Sequence, residues 1–193
     1  MYFIAVLSGD ENMIKAFESP EKLPLTDEEG NQVYDDKGNP KYFKNPEADL
    51  HTITTKTCCF PEVFEGKPFS EWDAIARNPD VIQLLGDPRL YGKKTNFGIV
   101  YLQTPKTMAE QNYLPVEICE KWRSNHEQQF FDAHRFIAEQ EDWANVRGWA
   151  RNALGRQRWT REDNAKKQGA SPGRSGVNHL IQSQIFLGTD KRG

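Results

Sequence analysis

Apolar runs alternate along the chain with polar segments rich in proline or glycine, and the spacing inside each run predicts its element. Tyr2 to Leu7 is a continuous apolar stretch that ends at Ser8-Gly9-Asp10. Met13, Ile14 and Phe17 then recur at helical spacing, and Pro20 stops the helix. Residues 21 to 46 are polar and turn-rich. In them Val33-Tyr34 and Tyr42-Phe43 flank Asp35-Asp36-Lys37-Gly38-Asn39-Pro40 as a solvent-exposed hairpin, which reads as an insertion rather than a domain. From Pro46 the pattern turns helical: a helix over Glu47 to Cys58, then a short one opened and capped by Ser70 near Asp73. Asp87-Pro88 is the sharpest start signal, because Asp accepts from first-turn amides and Pro is preset for the first helical position; it predicts a helix from Pro88 to about Leu102. Helices follow over Pro105 to Gln111, Pro115 to about Phe130 and Asp132 to Val146, the last closed by Gly148. Trp149 to Trp159 predicts a hairpin around Leu154-Gly155-Arg156, Asn164 to Pro172 an exposed loop, and Gly173 to Phe186 a final helix. No internal repeat is evident. The fold class is therefore mainly α with a small β component, α+β.

Composition adds limits. The 193 residues carry 25 Lys+Arg and 28 Asp+Glu, and the 41 Leu, Ile, Val and Phe residues give a thin core. After the initiator methionine the longest apolar run, Tyr2 to Leu7, is six residues, against the roughly 20 needed to span a bilayer, so no membrane partner is expected. Three cysteines, with Cys58 and Cys59 adjacent and Cys119 remote, form neither a disulfide framework nor a metal knuckle, and Cys58-Cys59 is expected to pack rather than react. The cysteine usage points to a reducing, cytoplasmic setting. His51, His126, His134 and His179 lack zinc-site spacing, and His126 and His134 are expected on helix surfaces. Charge is uneven: residues 1 to 50 carry 5 basic and 11 acidic side chains, whereas residues 145 to 193 carry 10 basic and 3 acidic, with Trp149, Leu154 and Trp159 interleaved. A basic end on a mildly acidic chain is the pattern of a local phosphate site.

The candidate chemistry lies on the helix opened by Pro88. Arg89, Lys93, Phe97 and Tyr101 recur every four residues, so one face presents two cations and then two rings. Cations suit phosphates, and rings stack on or pack under a base or sugar; an amphipathic helix with buried rings has the same spacing. The acidic residues Asp10, Glu11 and Asp27 to Glu29 have no metal-ligand spacing and are expected to be ordinary loop residues.

Arg89-x-x-x-Lys93-x-x-x-Phe97-Gly98-x-x-Tyr101, with its Asn96-Phe97-Gly98-Ile99-Val100-Tyr101 core, resembles motif B of the family A (DNA polymerase I-like) DNA polymerases, phage-type members included. Asp49-Leu50-His51-Thr52 with Thr54 is similar to the family's D-L-H-x-x-T segment. Leu154-Gly155-Arg156-Gln157-Arg158 resembles the hairpin before the last polymerase helix, and Asn178-His179-Leu180-Ile181-Gln182 the start of that helix. Phe3 to Phe17 resembles the stretch after motif A. The resemblance covers nearly the whole chain apart from residues 21 to 46 and the last seven or so. Leu102 replaces a usual glycine, Tyr2 a common arginine, and Ser183 to Phe186 depart from the family's small residues.

The resemblance implies a fingers subdomain with partial palm. Residues 1 to 20 would be a palm-derived segment after motif A, 21 to 46 the polar insertion, 47 to 147 the helical fingers, and 148 to 193 the hairpin and truncated last palm helix. Arg89, Lys93 and His51 would hold the triphosphate of an incoming dNTP, with Lys93 the proton donor to pyrophosphate. Phe97 would lie against the sugar, and Tyr101 would stack at the template base or hinge as the fingers close. Arg174, Asn178, Gln182 and Arg156 would contact primer-template DNA. Mg2+ would serve the complete enzyme, but its motif A and motif C carboxylates lie outside the chain, so the chain alone is expected to be inactive, to fold marginally and to partner the remaining polymerase segments. Tyr2, Phe3, Ile4 and Phe186 would then form an exposed apolar patch. The alternative is a non-catalytic nucleic-acid or nucleotide-binding module derived from such an enzyme.

Overall fold

A computed structural model describes residues 1–76, 78–80, 86–161 and 171–185. In chain order the elements are α1 (Tyr2–Ser8), α2 (Glu11–Glu18), β1 (Lys22–Pro24), β2 (Tyr42–Lys44), a 3-10 turn (Pro46–Ala48), α3 (Leu50–Thr54) and a π-helical turn (Thr55–Cys59). Then come α4 (Pro61–Phe64), α5 (Phe69–Ala76), α6 (Pro88–Val100), α7 (Pro105–Asn112), α8 (Val116–Gln129), α9 (Phe131–Arg147), β3 (Trp149–Arg151), β4 (Gln157–Trp159) and α10 (Pro172–Ile185). Among the described residues helices dominate, with two small antiparallel sheets, so the class is α+β. The loop expected over residues 164 to 172 falls largely outside the described residues, as does Phe186.

The chain divides into two compact units, one of Met1–Glu11, Phe97–Cys119 and the described part of Phe130–Gly193, the other of Asn12–Asn96 and Glu120–Gln129. In the first unit α9 and α10 pack side by side, and β3 lies against both. The approach is close because Gly176 faces Ala144: a Cβ there would stand 2.4 Å from the alanine Cβ. Asn145 Oδ1 on α9 accepts from the Gly173 amide at 2.8 Å, and Ser171 Oγ accepts from the Arg174 amide at 3.1 Å, so the first turn of α10 is capped from two directions. Ile99, Met108, Ala109 and Cys119 form a buried cluster with Leu114 and Val116 against it. In the second unit the rings of Phe60, Tyr91 and Trp122 meet edge to face at 5.4 to 5.7 Å.

Several expectations change. The single helix over Glu47 to Cys58 is three short pieces, because Asp49 is extended and caps a new start while the chain widens to π-geometry from Thr55. Helix α5 begins at Phe69, so Ser70 is its second residue and not its cap. Tyr42–Lys44 pairs with Lys22–Pro24, and it is Tyr34 that bridges to Pro40. A short internal repeat governs this: Asp27-x-x-Gly30-Asn31 and Asp35-x-x-Gly38-Asn39 form the same turn eight residues apart. In each, the Asp Oδ1 accepts from two later amides, and a glycine with φ of 86° or 78° takes the left-handed position. Those amide bonds hold both carboxyls below the usual carboxylate range. Of the expected apolar patch, Ile4 is buried; the exposed side chains of α1 are Tyr2, Val6 and Leu7. Asp10 is not a free loop residue: it is 2% exposed, and its Oδ2 accepts from the Ala133 amide in the first turn of α9 at 3.1 Å. His126 is not on a surface, being 1% exposed.

Candidate functional site

In the second unit the site begins with two aspartates that start helices. Asp87 precedes Pro88 and its Oδ1 accepts from the Arg89 amide at 3.1 Å, fixing the start of α6. Asp49 caps α3, its Oδ1 accepting from the His51 amide at 3.0 Å. The other Asp49 oxygen takes Arg89 Nε at 2.7 Å and Lys44 Nζ at 3.2 Å. Burial works to raise the Asp49 pKa, but the bonds and charges of Arg89 and Lys44 outweigh it and hold the carboxyl down at about 2. Arg89 binds Asp49 through Nε, and its side chain is 45% exposed. Lys93, one turn on, is exposed and makes no hydrogen bond or ion pair among the described residues.

The depressed Asp49 pKa carries a stability consequence. An unfolded aspartate titrates near 3.9, so between that pH and about 2 the unfolded chain binds the extra proton. Stability from Asp49 is therefore complete above about pH 4 and lost as the pH falls toward 2. Urea-unfolding midpoints should drop across that window in the wild type, and Asp49→Asn should lose less there, from a lower starting value.

Behind Arg89 and Lys93 lies a buried polar network. Asn96 Oδ1 stands 2.8 Å from His126 Nε2 and accepts from the Thr54 hydroxyl at 3.0 Å, while Asn96 Nδ2 stands 3.0 Å from His51 Nδ1. Asn96, His126 and Thr54 are at most 1% exposed, and His51 is half-buried. Burial lowers the His51 pKa; Arg89 and Lys93 push it the same way against Asp49. The helices can approach this closely because Gly92 has no side chain: a Cβ would lie 2.3 Å from both the His51 carbonyl oxygen and Thr55 Oγ1.

In the first unit the Phe97 and Tyr101 rings stack at 6.3 Å with planes 11° apart, and Phe97 is 38% exposed. Helix α6 stops at Val100, two residues short of expectation, because Leu102 turns left-handed at φ 55°. That is a glycine-favouring conformation held in leucine. Arg174 donates to the Leu102 carbonyl at 2.7 Å, tying α10 to this turn. Asn178 follows Arg174 by one turn of α10, and its Oδ1 is buried with no hydrogen-bond partner among the described residues; Gln182 is exposed. Arg156 is exposed at the β3–β4 hairpin, and its carbonyl faces His179 Nε2 at 3.3 Å. Thus Arg89, Lys93 and His51 gather in one unit, and Phe97, Tyr101, Arg174 and Asn178 belong to the other.

Asn96, Thr54 and His126 were missed as site-forming residues. The signal for His126 was present, since Cys119, Trp122, His126 and Phe130 recur at steps of three and four, and all are buried. The cysteines pack: burial pushes the Cys58 thiol up to about 12. No helix among the described residues is long and apolar enough to cross a membrane.

No protein-family model and no curated protein matches the chain. Among solved structures, the POL domain of Pol1 from M. smegmatis, in complex with DNA primer-template and dNTP, is similar with a TM-score of 0.58 and 19% sequence identity. The match covers 93% of this chain and 24% of that one, so the chain spans about a quarter of its neighbour's length. The likeness establishes a polymerase-like fold.

Proposed function

We propose that the chain is the fingers and adjoining palm segment of a family A DNA polymerase, binding the triphosphate of an incoming dNTP and the primer-template during DNA synthesis. The observation that carries this is the pair of exposed cations on α6, Arg89 and Lys93, whose charges both act on His51, within a polymerase-like fold. Arg89, aimed by Asp49, would grip phosphate oxygens with its terminal nitrogens; Lys93 would follow as a mobile ammonium and serve as proton donor to pyrophosphate. His51 would add a third contact. Phe97 would lie against the sugar and Tyr101 at the template base, while Arg174, Asn178, Gln182 and Arg156 would meet primer and template. Asn178 Oδ1, buried and unpartnered among the described residues, supports its assignment as a polar contact.

Family A chemistry uses two Mg2+ ions to activate a 3'-hydroxyl and steady the leaving phosphate. The described residues do not fit that role: no three His, Cys, Asp or Glu side chains among them are grouped to hold an ion, and the buried Asp10 carboxylate is engaged by α9. Binding and orientation are the roles we assign to the residues named above. We infer that the 193 residues alone do not extend a primer and act with the segments that carry the metal-binding carboxylates.

The primer-template assignment is tested by salt titration. Each phosphate neutralised should contribute a slope of about −0.9 in log K against log salt. Arg174→Ala and Arg156→Ala together should reduce the slope by about two contacts on that scale. Binding that stays flat from low to moderate salt, or a double variant with the wild-type slope, would count against it.

A further inference from the structure

We propose that His126, acting through the Asn96 amide, is a positioning residue that fixes His51 as the neutral imidazole with its proton on Nε2. The inference deepens the nucleotide reading of the same site and rests on that reading for its purpose, though not for its geometry.

The chain of contacts runs through one side-chain amide. Asn96 is fully buried on α6, and a buried carboxamide presents one accepting and one donating edge. Its oxygen edge meets His126 Nε2 at 2.8 Å and the Thr54 hydroxyl at 3.0 Å. In this proposal His126 donates from Nε2, and the amide then cannot reverse without setting its NH2 against that N–H. The NH2 edge is thereby directed at His51 Nδ1, 3.0 Å away, which must offer a lone pair. A neutral imidazole that accepts at Nδ1 carries its hydrogen on Nε2. A proton arriving at Nδ1 would oppose N–H to N–H in a buried setting, so it must wait for Asn96 to turn and His126 to change tautomer.

Other groups around His51 act in both directions. Asp49, whose carboxylate caps the same helix, favours the cation; Arg89 and Lys93 on α6 oppose it, as does burial. The His126–Asn96 pair adds a geometric lock to that balance. Its value at a nucleotide site is that Nε2–H is a hydrogen-bond donor that a phosphate oxygen can use without His51 having to become charged between two cations.

The test is 15N–1H correlation of histidine ring signals in the full chain, without nucleotide, at about pH 8, where an ordinary histidine is neutral. His51 is assigned by loss of its signals in His51→Gln. The expected result is a protonated Nε2 and an unprotonated Nδ1 at His51, with His126 also protonated at Nε2. His126→Phe removes the donor that orients Asn96; the His51 signals should move toward the Nδ1–H form and the His51 pKa should rise by about one unit. His126→Gln, which retains an N–H donor, should restore the Nε2–H form. A proton on His51 Nδ1 in the wild type overturns the proposal, whether or not the phenylalanine variant folds. So does a folded His126→Phe whose His51 signals and titration match the wild type. No nucleotide is present, so the result stands or falls on the tautomer alone, while a separate dNTP titration judges the nucleotide reading.

Discussion

Gly92→Ala is expected to destabilise the protein by about 2 kcal/mol or more, seen as a lower urea midpoint and a melting temperature depressed by several degrees. Two opposing effects set the size. Alanine gains roughly 0.8 to 1.0 kcal/mol over glycine inside a helix. Against this, the new methyl would stand 2.3 Å from the His51 carbonyl oxygen and 2.3 Å from Thr55 Oγ1, with the Thr55 amide nitrogen at 2.9 Å. Two of those atoms are backbone, and Thr55 Oγ1 is held by bonds to the His51 and Pro88 carbonyls. Relief therefore requires α6 to move off α3, which typically costs about 1 to 3 kcal/mol and occasionally more. Gly98→Ala on the same helix is the contrast: its methyl meets Gln103 Oε1 and Met108 Cε, the far ends of flexible side chains. Gly98→Ala should cost less than Gly92→Ala, and wild-type stability in Gly92→Ala would contradict the packing described. Because the displaced helix carries Arg89, Lys93 and Asn96 away from His51, phosphate affinity should fall with stability.

Elements opened by local chemistry were legible in the sequence, and those decided by distant partners were not. Asp87-Pro88 marked the start of α6, and Gly148, at φ 72°, closed α9 as its pattern required. The α6 end lies two residues earlier than its pattern predicts because Leu102, standing where the resemblance has a glycine, keeps the left-handed conformation that glycine favours. The hairpins of residues 21 to 46 were misregistered for a different reason. Two equal Asp-x-x-Gly-Asn turns satisfy themselves locally, whereas strand pairing was set by a ring of bonds: Leu25 N to Lys41 O, Lys41 N to Val33 O and Val33 N to Leu25 O. The Gln32 side chain, donating to those same carbonyls, completes the ring.

The candidate site shows the same division. The four-residue step from Arg89 to Tyr101 was visible as a pattern, and the partners that orient it were not. Asp49 binds Arg89 across forty residues, and Asn96 reaches His126 across thirty. His126 lacks metal-site spacing and is expected on a helix surface, although its spacing from Trp122 puts it on the buried stripe. A buried histidine is unremarkable in sequence until the amide that pairs with it is known. Asp10 was discounted for a similar reason, since the amide that holds it comes from Ala133.

The most direct measurement of the central claim is calorimetric titration of dNTP with magnesium into the wild type, Arg89→Ala, Lys93→Ala and Phe97→Tyr, each checked by its melting temperature. Charge-assisted bonds to a phosphate are worth roughly 1.5 to 3 kcal/mol, so Lys93→Ala should weaken binding by about ten-fold or more. It should do so with an unchanged melting temperature, because Lys93 is exposed and makes no hydrogen bond or ion pair among the described residues. Arg89→Ala should weaken binding comparably while also releasing Asp49 from its strongest partner. Phe97→Tyr should bind as the wild type does. A folded Lys93→Ala that binds dNTP with wild-type affinity would contradict the account, leaving α6 a scaffold whose cations merely face solvent.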